Sequence, residues 1–130
     1  MPEVARDALI SRVTPQLLTL DIESSIRFYT EKLGFTVDFR YEDFYAGIRS
    51  GEYTVHLKES DCTDPSVAFV REAGHFHLYL STADVDALAT QLKGQGVVLL
   101  HEPHDTAWNT REIVLEDDQG HTIYVGEDRS

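Results

Sequence analysis

Residues 20–35 read LDIESSIRFYTEKLGF, a pattern typical of a short amphipathic helix with both ends marked. Asp21 is a residue type that caps helix N-termini, because its carboxylate accepts hydrogen bonds from the first free N–H groups. Gly34 suits the left-handed conformation that ends many helices. The apolar residues between them recur on one helical face: Ile22, Ile26, Tyr29 and Leu33. The stretch therefore predicts a helix from Asp21 to Gly34.

A second stretch of the same kind starts 63 residues later, where residues 83–96 read ADVDALATQLKGQG. Asp84 takes the capping position of Asp21, and Gly94 and Gly96 follow the helix. Its apolar face is formed by Val85, Leu88, Ala89 and Leu92. The recurrence predicts an internal repeat of about half the chain.

Short strand-like segments separated by turn residues surround both helices. Their ranges are 13–20, 35–41, 44–49, 53–58, 76–80, 97–101, 111–116 and 122–125. The order of one strand, one helix and three strands occurs twice along the chain. We predict an α+β fold of two βαβββ modules, at 13–60 and 75–127. The linker at 61–74 joins them into a single domain at 13–127, after an N-terminal tail at 1–12.

The charge balance narrows the classes of partner. With 11 Lys and Arg against 23 Asp and Glu, the formal net charge is −12. Nucleic acid and anionic membranes are disfavoured, because both attract basic proteins, whereas a cationic ligand is favoured. No apolar run approaches the roughly 20 residues of a membrane helix, the N-terminus lacks a signal-peptide pattern, and the one cysteine, Cys62, cannot form an intrachain disulfide. We expect a cytoplasmic protein with neither nucleic-acid nor membrane partners.

Local motifs make residues 13–127 similar to a known superfamily. The motifs are LDIESSIRFY at 20–29, LGF at 33–35, ADVDAL at 83–88, WNTRE at 108–112 and DDQG at 117–120. With the repeated βαβββ pattern, they resemble the vicinal-oxygen-chelate superfamily, which includes glyoxalase I, extradiol dioxygenases, fosfomycin-resistance enzymes and bleomycin-resistance proteins. Pro15 and residues 108–112 resemble the bleomycin-resistance branch. The resemblance implies curled half-barrel sheets and a homodimer that sequesters its ligand between subunits without a catalytic metal.

In this fold the helix covers one face of each sheet and the other face lines the ligand cavity, so strand alternation assigns side chains to faces. We expect the following residues to face the helices: Tyr53, Val55, Leu57, Phe76, Leu78 and Leu80. We expect the following to face the cavity: Thr54, His56, His75, His77, Tyr79 and Tyr124.

Metal-dependent members of the superfamily carry a His, Glu or Gln ligand on the first and last strand of each module. The resemblance places these positions at Thr14, His56, His77 and Tyr124. Threonine and neutral tyrosine are poor ligands for Zn, Ni or Fe(II). We therefore predict no cofactor and no metal. The alternative is a divalent metal held by His56 and His77, completed by water, substrate or Glu112.

Further candidates for ligand binding are Phe39, Tyr41, Phe44, Trp108 and Glu112. The three aromatic residues on the strands either line the cleft or simply pack, and Trp108 stacks on a ligand or packs on a dimer partner or the base of its loop. Glu112 faces the cavity if Ile113 faces the helix, and there it binds a cation, acts as a base or pairs with an arginine. The remaining histidines are expected to be solvated: His101, His104 and His121.

These features together predict a dimeric small-molecule-binding protein. Its ligand would be a cationic aromatic compound such as a bleomycin-type antibiotic, and its other partner a second copy of the chain. One alternative is a metal-dependent lyase, isomerase or dioxygenase of glyoxalase type. Another is a non-catalytic interaction subunit with a filled cavity.

Overall fold

A computed structural model of the protein describes residues 8–130, so residues 1–7 of the predicted tail lie outside it. The strands are β1 (Gln16–Thr19), β2 (Thr36–Tyr41), β3 (Tyr45–Ser50), β4 (Tyr53–Glu59), β5 (Leu78–Ser81), β6 (Leu99–Asp105), β7 (Thr110–Glu116) and β8 (Thr122–Asp128). The helices are α1 (Ile22–Arg27), which continues as a π-helical segment (Phe28–Lys32), α2 (Ser66–Ala73) and α3 (Val85–Gly94). Within residues 8–130, no helix combines the length and apolar composition needed to cross a bilayer.

The strands form two open four-stranded sheets, one from each half of the chain. Their strand orders are β1–β4–β3–β2 and β5–β8–β7–β6. In each sheet the first strand of the module runs parallel to the last, and the other neighbours are antiparallel. The order of one strand, one helix and three strands occurs twice, so the prediction of two βαβββ modules is confirmed.

Helices α1 and α3 begin at the two predicted caps. The Asp21 carboxylate accepts a hydrogen bond from Ser24 N–H at 3.2 Å, and the Asp84 carboxylate accepts one from Ala87 N–H at 3.0 Å. After the π-helical segment, Gly34 adopts a φ of +77°, where a side chain would be strained. Both caps and the glycine therefore do what the sequence predicts.

Each helix also receives an acid from the last strand of its own module, which the sequence analysis did not anticipate. Ile22 N–H donates to Glu59 Oε1 at 2.9 Å, and Val85 N–H donates to Glu127 Oε1 at 2.9 Å. A negative group at a helix N-terminus accepts a hydrogen bond from a free N–H group and interacts favourably with the positive end of the helix dipole. The two bonds fix each helix against its sheet.

Buried apolar side chains of both modules form one core. The first module contributes Leu17, Ile22, Ile26, Tyr29, Ile48, Val55 and Leu57. The second contributes Leu78, Val85, Ala89, Leu92, Ile113, Leu115, Ile123 and Val125. The predicted helical faces therefore pack into the core, with Leu33 and Leu88 only partly buried.

Two residues predicted to face the helices do not. Tyr53 is 76% exposed, because it is the first residue of β4 and lies outside the core. Phe76 precedes β5, which begins two residues later than predicted. Its ring packs on Tyr79 and Tyr124, at centroid distances of 5.6 and 5.1 Å, on the face away from the helices.

The predicted linker contains helix α2. Asp64 Oδ1 accepts a hydrogen bond from Ser66 N–H at 2.9 Å, and Pro65 has a φ of −65° that suits the start of a helix. Val67 and Val70 form the buried side of the helix. The segment between the modules is therefore a packed element.

The turn between β7 and β8 reaches across to the first module. Asp118 Oδ2 accepts hydrogen bonds from the hydroxyls of Ser24 and Ser25, at 2.8 and 2.9 Å. Gln119 Oε1 accepts one from Leu20 N–H at 2.9 Å. These polar contacts join the second module to the start of α1.

Candidate functional site

The candidate site lies on the face of the second sheet that points away from the helices. Ile113 and Leu115 of β7 enter the core. Glu112 precedes Ile113 on the same strand, so it points to the opposite face. In the register of the sheet, Glu112 lies opposite Gly126, and Tyr124 lies beside Tyr79. The predictions that Glu112 and Tyr124 share the face opposite the helices therefore agree with the register.

Glu112 is the charged group of this face, and it is only 2% exposed. Its Oε2 atom accepts hydrogen bonds from the Tyr79 hydroxyl at 2.7 Å, the Thr110 hydroxyl at 2.9 Å and Trp108 Nε1–H at 3.4 Å. Its Oε1 atom accepts none from residues 8–130. Among residues 8–130 no arginine pairs with Glu112, since Arg111 pairs with Asp86 and Asp105, and Arg49 pairs with Asp38. One carboxylate oxygen is thus anchored, and the other has no protein donor among the described residues.

Tyr79 reaches Glu112 because the intervening residue is a glycine. A Cβ atom on Gly126 would lie 1.9 Å from the Tyr79 hydroxyl oxygen. Partial burial, together with the hydrogen bond and negative charge of Glu112, raises the pKa of Tyr79 above its usual value. The phenol therefore stays protonated and donates to the carboxylate.

Two aromatic side chains, Tyr79 and Trp108, hydrogen-bond to this carboxylate. Trp108 is 68% exposed, and its indole is positioned by a loop in which Asn109 has a φ of +65° and the hydroxyls of Thr106 and Thr110 are 2.7 Å apart. Phe76 packs on Tyr124. Exposed rings beside an anchored carboxylate have the chemistry to contact a flat molecule that carries a positive charge.

The first sheet carries a second polar cluster, centred on His56. Gln16 lies beside His56 across β1 and β4. Gln16 Nε2–H donates to the Tyr45 hydroxyl at 2.9 Å, and that hydroxyl is 3.0 Å from His56 Nδ1. The Phe39 ring stands edge-on to the imidazole at a centroid distance of 5.2 Å. His56 and Phe39 are therefore brought together in the structure.

Tyr41 and Phe44 lie at the turn between β2 and β3. Their rings meet edge to face at 5.8 Å, and both are exposed. Phe44 also contacts Tyr45 at 6.5 Å, so it borders the His56 cluster, whereas Tyr41 lies at the outer end of the hairpin.

His77 is not part of either cluster. Its Nδ1 atom accepts a hydrogen bond from Thr122 N–H at 3.0 Å, and its Nε2 atom is 3.0 Å from the Ser66 hydroxyl. Burial, followed by the neighbouring charge of His121, lowers its pKa. Both ring nitrogens are used to connect helix α2 to β8.

His121, which we expected to be solvated, is 1% exposed, and that prediction is wrong. Nδ1 is 2.8 Å from Asp117 Oδ2, and Nε2 is 3.2 Å from Asp64 Oδ2. The hydroxyl of Tyr29 donates to the same Asp117 oxygen at 2.7 Å. Burial alone would lower the pKa of His121, but the hydrogen bonds and charges of Asp117 and Asp64 outweigh it and raise the pKa.

The observed register also moves the positions that correspond to metal ligands. Neighbours across β1 and β4 are Gln16 and His56, and neighbours across β5 and β8 are Tyr79 and Tyr124. Thr14 and His77 lie two residues too early, because both strands begin later than predicted. Gln16 and His56 are ligand types found in metal-dependent members, but the phenols of Tyr79 and Tyr124 are poor ligands, so the four positions do not form a complete set for a divalent metal. In the described part of the chain, no three His, Cys, Asp or Glu side chains are grouped for one.

The arrangement of the two sheets has counterparts among known proteins. The family model of the Glyoxalase/Bleomycin resistance protein/Dioxygenase superfamily matches residues 10–125. The chain belongs to this superfamily. An uncharacterized protein of Mycolicibacterium smegmatis is 31% identical over 100 residues, which are 77% of this chain and 79% of that protein.

Solved structures of the superfamily share the fold. A bleomycin-binding protein complexed with bleomycin is 23% identical, with a TM-score of 0.71 over 92% of this chain and 99% of that chain. TnmS3, an antibiotic-binding protein from Streptomyces sp. CB03234, is 23% identical, with a TM-score of 0.72 over 93% and 98% of the two chains. The predicted α+β fold of glyoxalase/bleomycin-resistance type, with two open sheets, is confirmed.

For this superfamily member, sequence reasoning missed three polar residues of the two clusters. They are Gln16, Tyr45 and Thr110. Thr110 lies two residues before Glu112, so alternation along β7 was the signal for it. Gln16 and Tyr45 reach His56 only through the pairing of β4 with β1 and β3, which no local pattern in the sequence gives.

Proposed function

We propose that the protein is a cytoplasmic homodimer that binds a cationic aromatic small molecule on the second sheet and sequesters it without a catalytic metal. The observation that carries the proposal is the Glu112 carboxylate. It lies within the sheet face, with three donors on Oε2 and none from the described residues on Oε1.

The contacts of Glu112 give a ligand both charge and orientation. The three donors on Oε2 fix the orientation of the carboxylate, so Oε1 already has a defined direction and the side chain needs no further ordering when a ligand binds. A ligand N–H⁺ group at Oε1 would form a charge-assisted hydrogen bond, and the surrounding protein would strengthen it by excluding water. The exposed ring of Trp108, bonded to the same carboxylate, would stack on the aromatic part or on the charge itself.

The charge of the chain and the known relatives support the same class of ligand. A formal net charge of −12 attracts cations over a distance set by the salt concentration. Two structural relatives are described as binding bleomycin and an antibiotic. The donor sets of the two clusters favour ligand binding over metal-dependent catalysis.

Exposed apolar side chains near the N-terminus support the dimer. Leu9, Ile10 and Val13 are 99%, 70% and 83% exposed, and the exposed Tyr53 lies nearby. Ile10 and Val13 line a cleft of about 690 Å³ with Tyr53 and Thr54. A second copy that covered this region would remove the apolar surface from water.

Calorimetry with two matched probes tests the proposed function. Naphthylmethylammonium carries the ring and the charge, and naphthalenemethanol carries the ring alone. We expect the cation to bind more tightly at low salt, and Glu112→Gln to weaken cation binding by about tenfold, which corresponds to about 1.4 kcal/mol. The alcohol should bind both forms alike, and bleomycin should follow the cation.

The control is Glu72→Gln, which removes the same charge from an exposed position on α2. This variant should bind the cation like the natural protein. Equal binding of cation and alcohol by the natural protein, or an equal effect of both substitutions, would contradict the role of Glu112.

A further inference from the structure

We propose that the His56 cluster is a second ligand-binding site of opposite hydrogen-bonding character, in which His56 Nε2–H donates to a carbonyl oxygen on the edge of an aromatic ring. This site lies on the first sheet and has its own residues: Gln16, Phe39, Tyr45 and His56. It is chemically distinct from the acceptor at Glu112 on the second sheet.

The hydrogen bonds of the cluster determine which ring nitrogen of His56 carries the proton. Gln16 Nε2–H is a donor, so the Tyr45 oxygen accepts it. No other acceptor among residues 8–130 bonds to the Tyr45 hydroxyl, so we assign its proton to the bond with His56 Nδ1, which then accepts it. In the neutral imidazole the remaining proton is on Nε2. That atom has no hydrogen-bond partner among residues 8–130, so it is available to a ligand.

The aromatic wall of the site is set by the backbone. The Phe39 ring lies over Gly47, where a Cβ atom would be 2.2 Å from Phe39 Cε1. The same ring stacks on Tyr45 at 6.2 Å with an interplanar angle of 19°. An exposed part of Phe39 beside the imidazole therefore offers a flat ligand a ring to pack on, with the Nε2–H at its edge.

The negative charge of the chain favours an uncharged hydrogen-bond acceptor over an anion as the ligand of the His56 cluster. No charged side chain of the described residues hydrogen-bonds to Gln16, Tyr45 or His56, so an anion would find no paired cation in the cluster. The net charge of −12 repels anions. A ring carbonyl, as in an aromatic ketone, is uncharged, so it accepts a hydrogen bond without this repulsion and without needing a paired cation.

Chromone and naphthalene test this site, since both are flat two-ring molecules and only chromone has a ring carbonyl. We expect the natural protein to bind chromone about threefold to tenfold more tightly than naphthalene, the range of one net hydrogen bond. His56→Phe should remove that preference, and Tyr45→Phe should reduce it, because Nδ1 then loses its donor. His101→Phe, the same change at an exposed position of β6, should keep it.

A spectroscopic readout needs no variant. On addition of chromone, the NMR resonance of His56 Nε2 should move and that of Nδ1 should stay. Equal affinities for chromone and naphthalene, or a preference that survives His56→Phe, would overturn the proposal. The cation test at Glu112 uses other probes and another variant, so either proposal can fail alone.

Discussion

Gly126 on β8 leaves room for the Tyr79 hydroxyl to lie close against the backbone of that strand. The hydroxyl occupies the space in which any other residue would place its Cβ atom. The phenol of Tyr79 on β5 thereby extends across β8 and donates to Glu112 on β7. One missing side chain thus allows the shortest of the hydrogen bonds that hold the carboxylate.

Gly126→Ala should displace Tyr79 from Glu112. The added Cβ would meet the hydroxyl oxygen at 1.9 Å, so the ring must rotate away and the carboxylate loses a donor. We expect naphthylmethylammonium to bind about fivefold more weakly in calorimetry, within the range of one lost hydrogen bond.

Gly94→Ala is the control for this substitution, because a Cβ atom there meets nothing within 4 Å. It should bind the cation normally. Unchanged affinity in Gly126→Ala would mean that Tyr79 does not orient the carboxylate.

At the residue scale, sequence reasoning identified side chains whose position follows from local rules. Alternation along a strand placed Glu112 opposite the core, and the loop before β7 placed Trp108 at the surface. His77 and His121 could not be placed, because their surroundings come from helix α2 and from a turn distant in sequence. A histidine has no intrinsic preference strong enough to reveal such partners.

At the element scale, the repeated helices were predictable because their signals are local. Asp21 and Asp84 mark the two starts, and apolar residues at helical spacing mark the buried faces. Helix α2 was missed although Asp64 and Pro65 are suitable start signals. The segment reads as a linker because its polar residues outnumber the two valines that become buried, Val67 and Val70.

His121 connects three elements: the turn before β8, the segment before α2, and, through Asp117 and Tyr29, the π-helical segment after α1. Its raised pKa means that the folded protein favours the charged ring. The resulting stabilisation is complete below the unfolded value of about 6.5 and is lost as the pH rises through the folded-state pKa.

An NMR titration checks these connections. His121 should titrate above pH 6.5 and His77 below it. In urea unfolding, His121→Gln should lose the part of the stability that declines above pH 6.5, whereas the exposed His101→Gln should keep it. Titration of His121 below 6.5 would show that its two carboxylates do not outweigh its burial.

At the scale of the whole molecule, the exposed apolar side chains at the N-terminus should be covered by a second chain. Sedimentation equilibrium should give twice the 14.7 kDa of one chain. Substitution of both Ile10 and Val13 by Asp should shift the protein towards the monomer, because each places a charge in an apolar contact.

The matched control for the dimer is Phe69→Asp, at an apolar side chain that is 68% exposed on α2. It should leave the mass unchanged. A natural protein that sediments as a monomer at all concentrations would contradict the proposed dimer.

The core shared by both modules has a consequence for the ancestry of the chain. Since the core draws on both halves, a half-length chain would leave its share of apolar side chains in water. A gene encoding one module would therefore yield a stable product only if two copies paired around the common interior. Fusion of two such genes would have turned that pairing into a single chain, after which the halves were free to diverge, one towards an imidazole and the other towards a carboxylate.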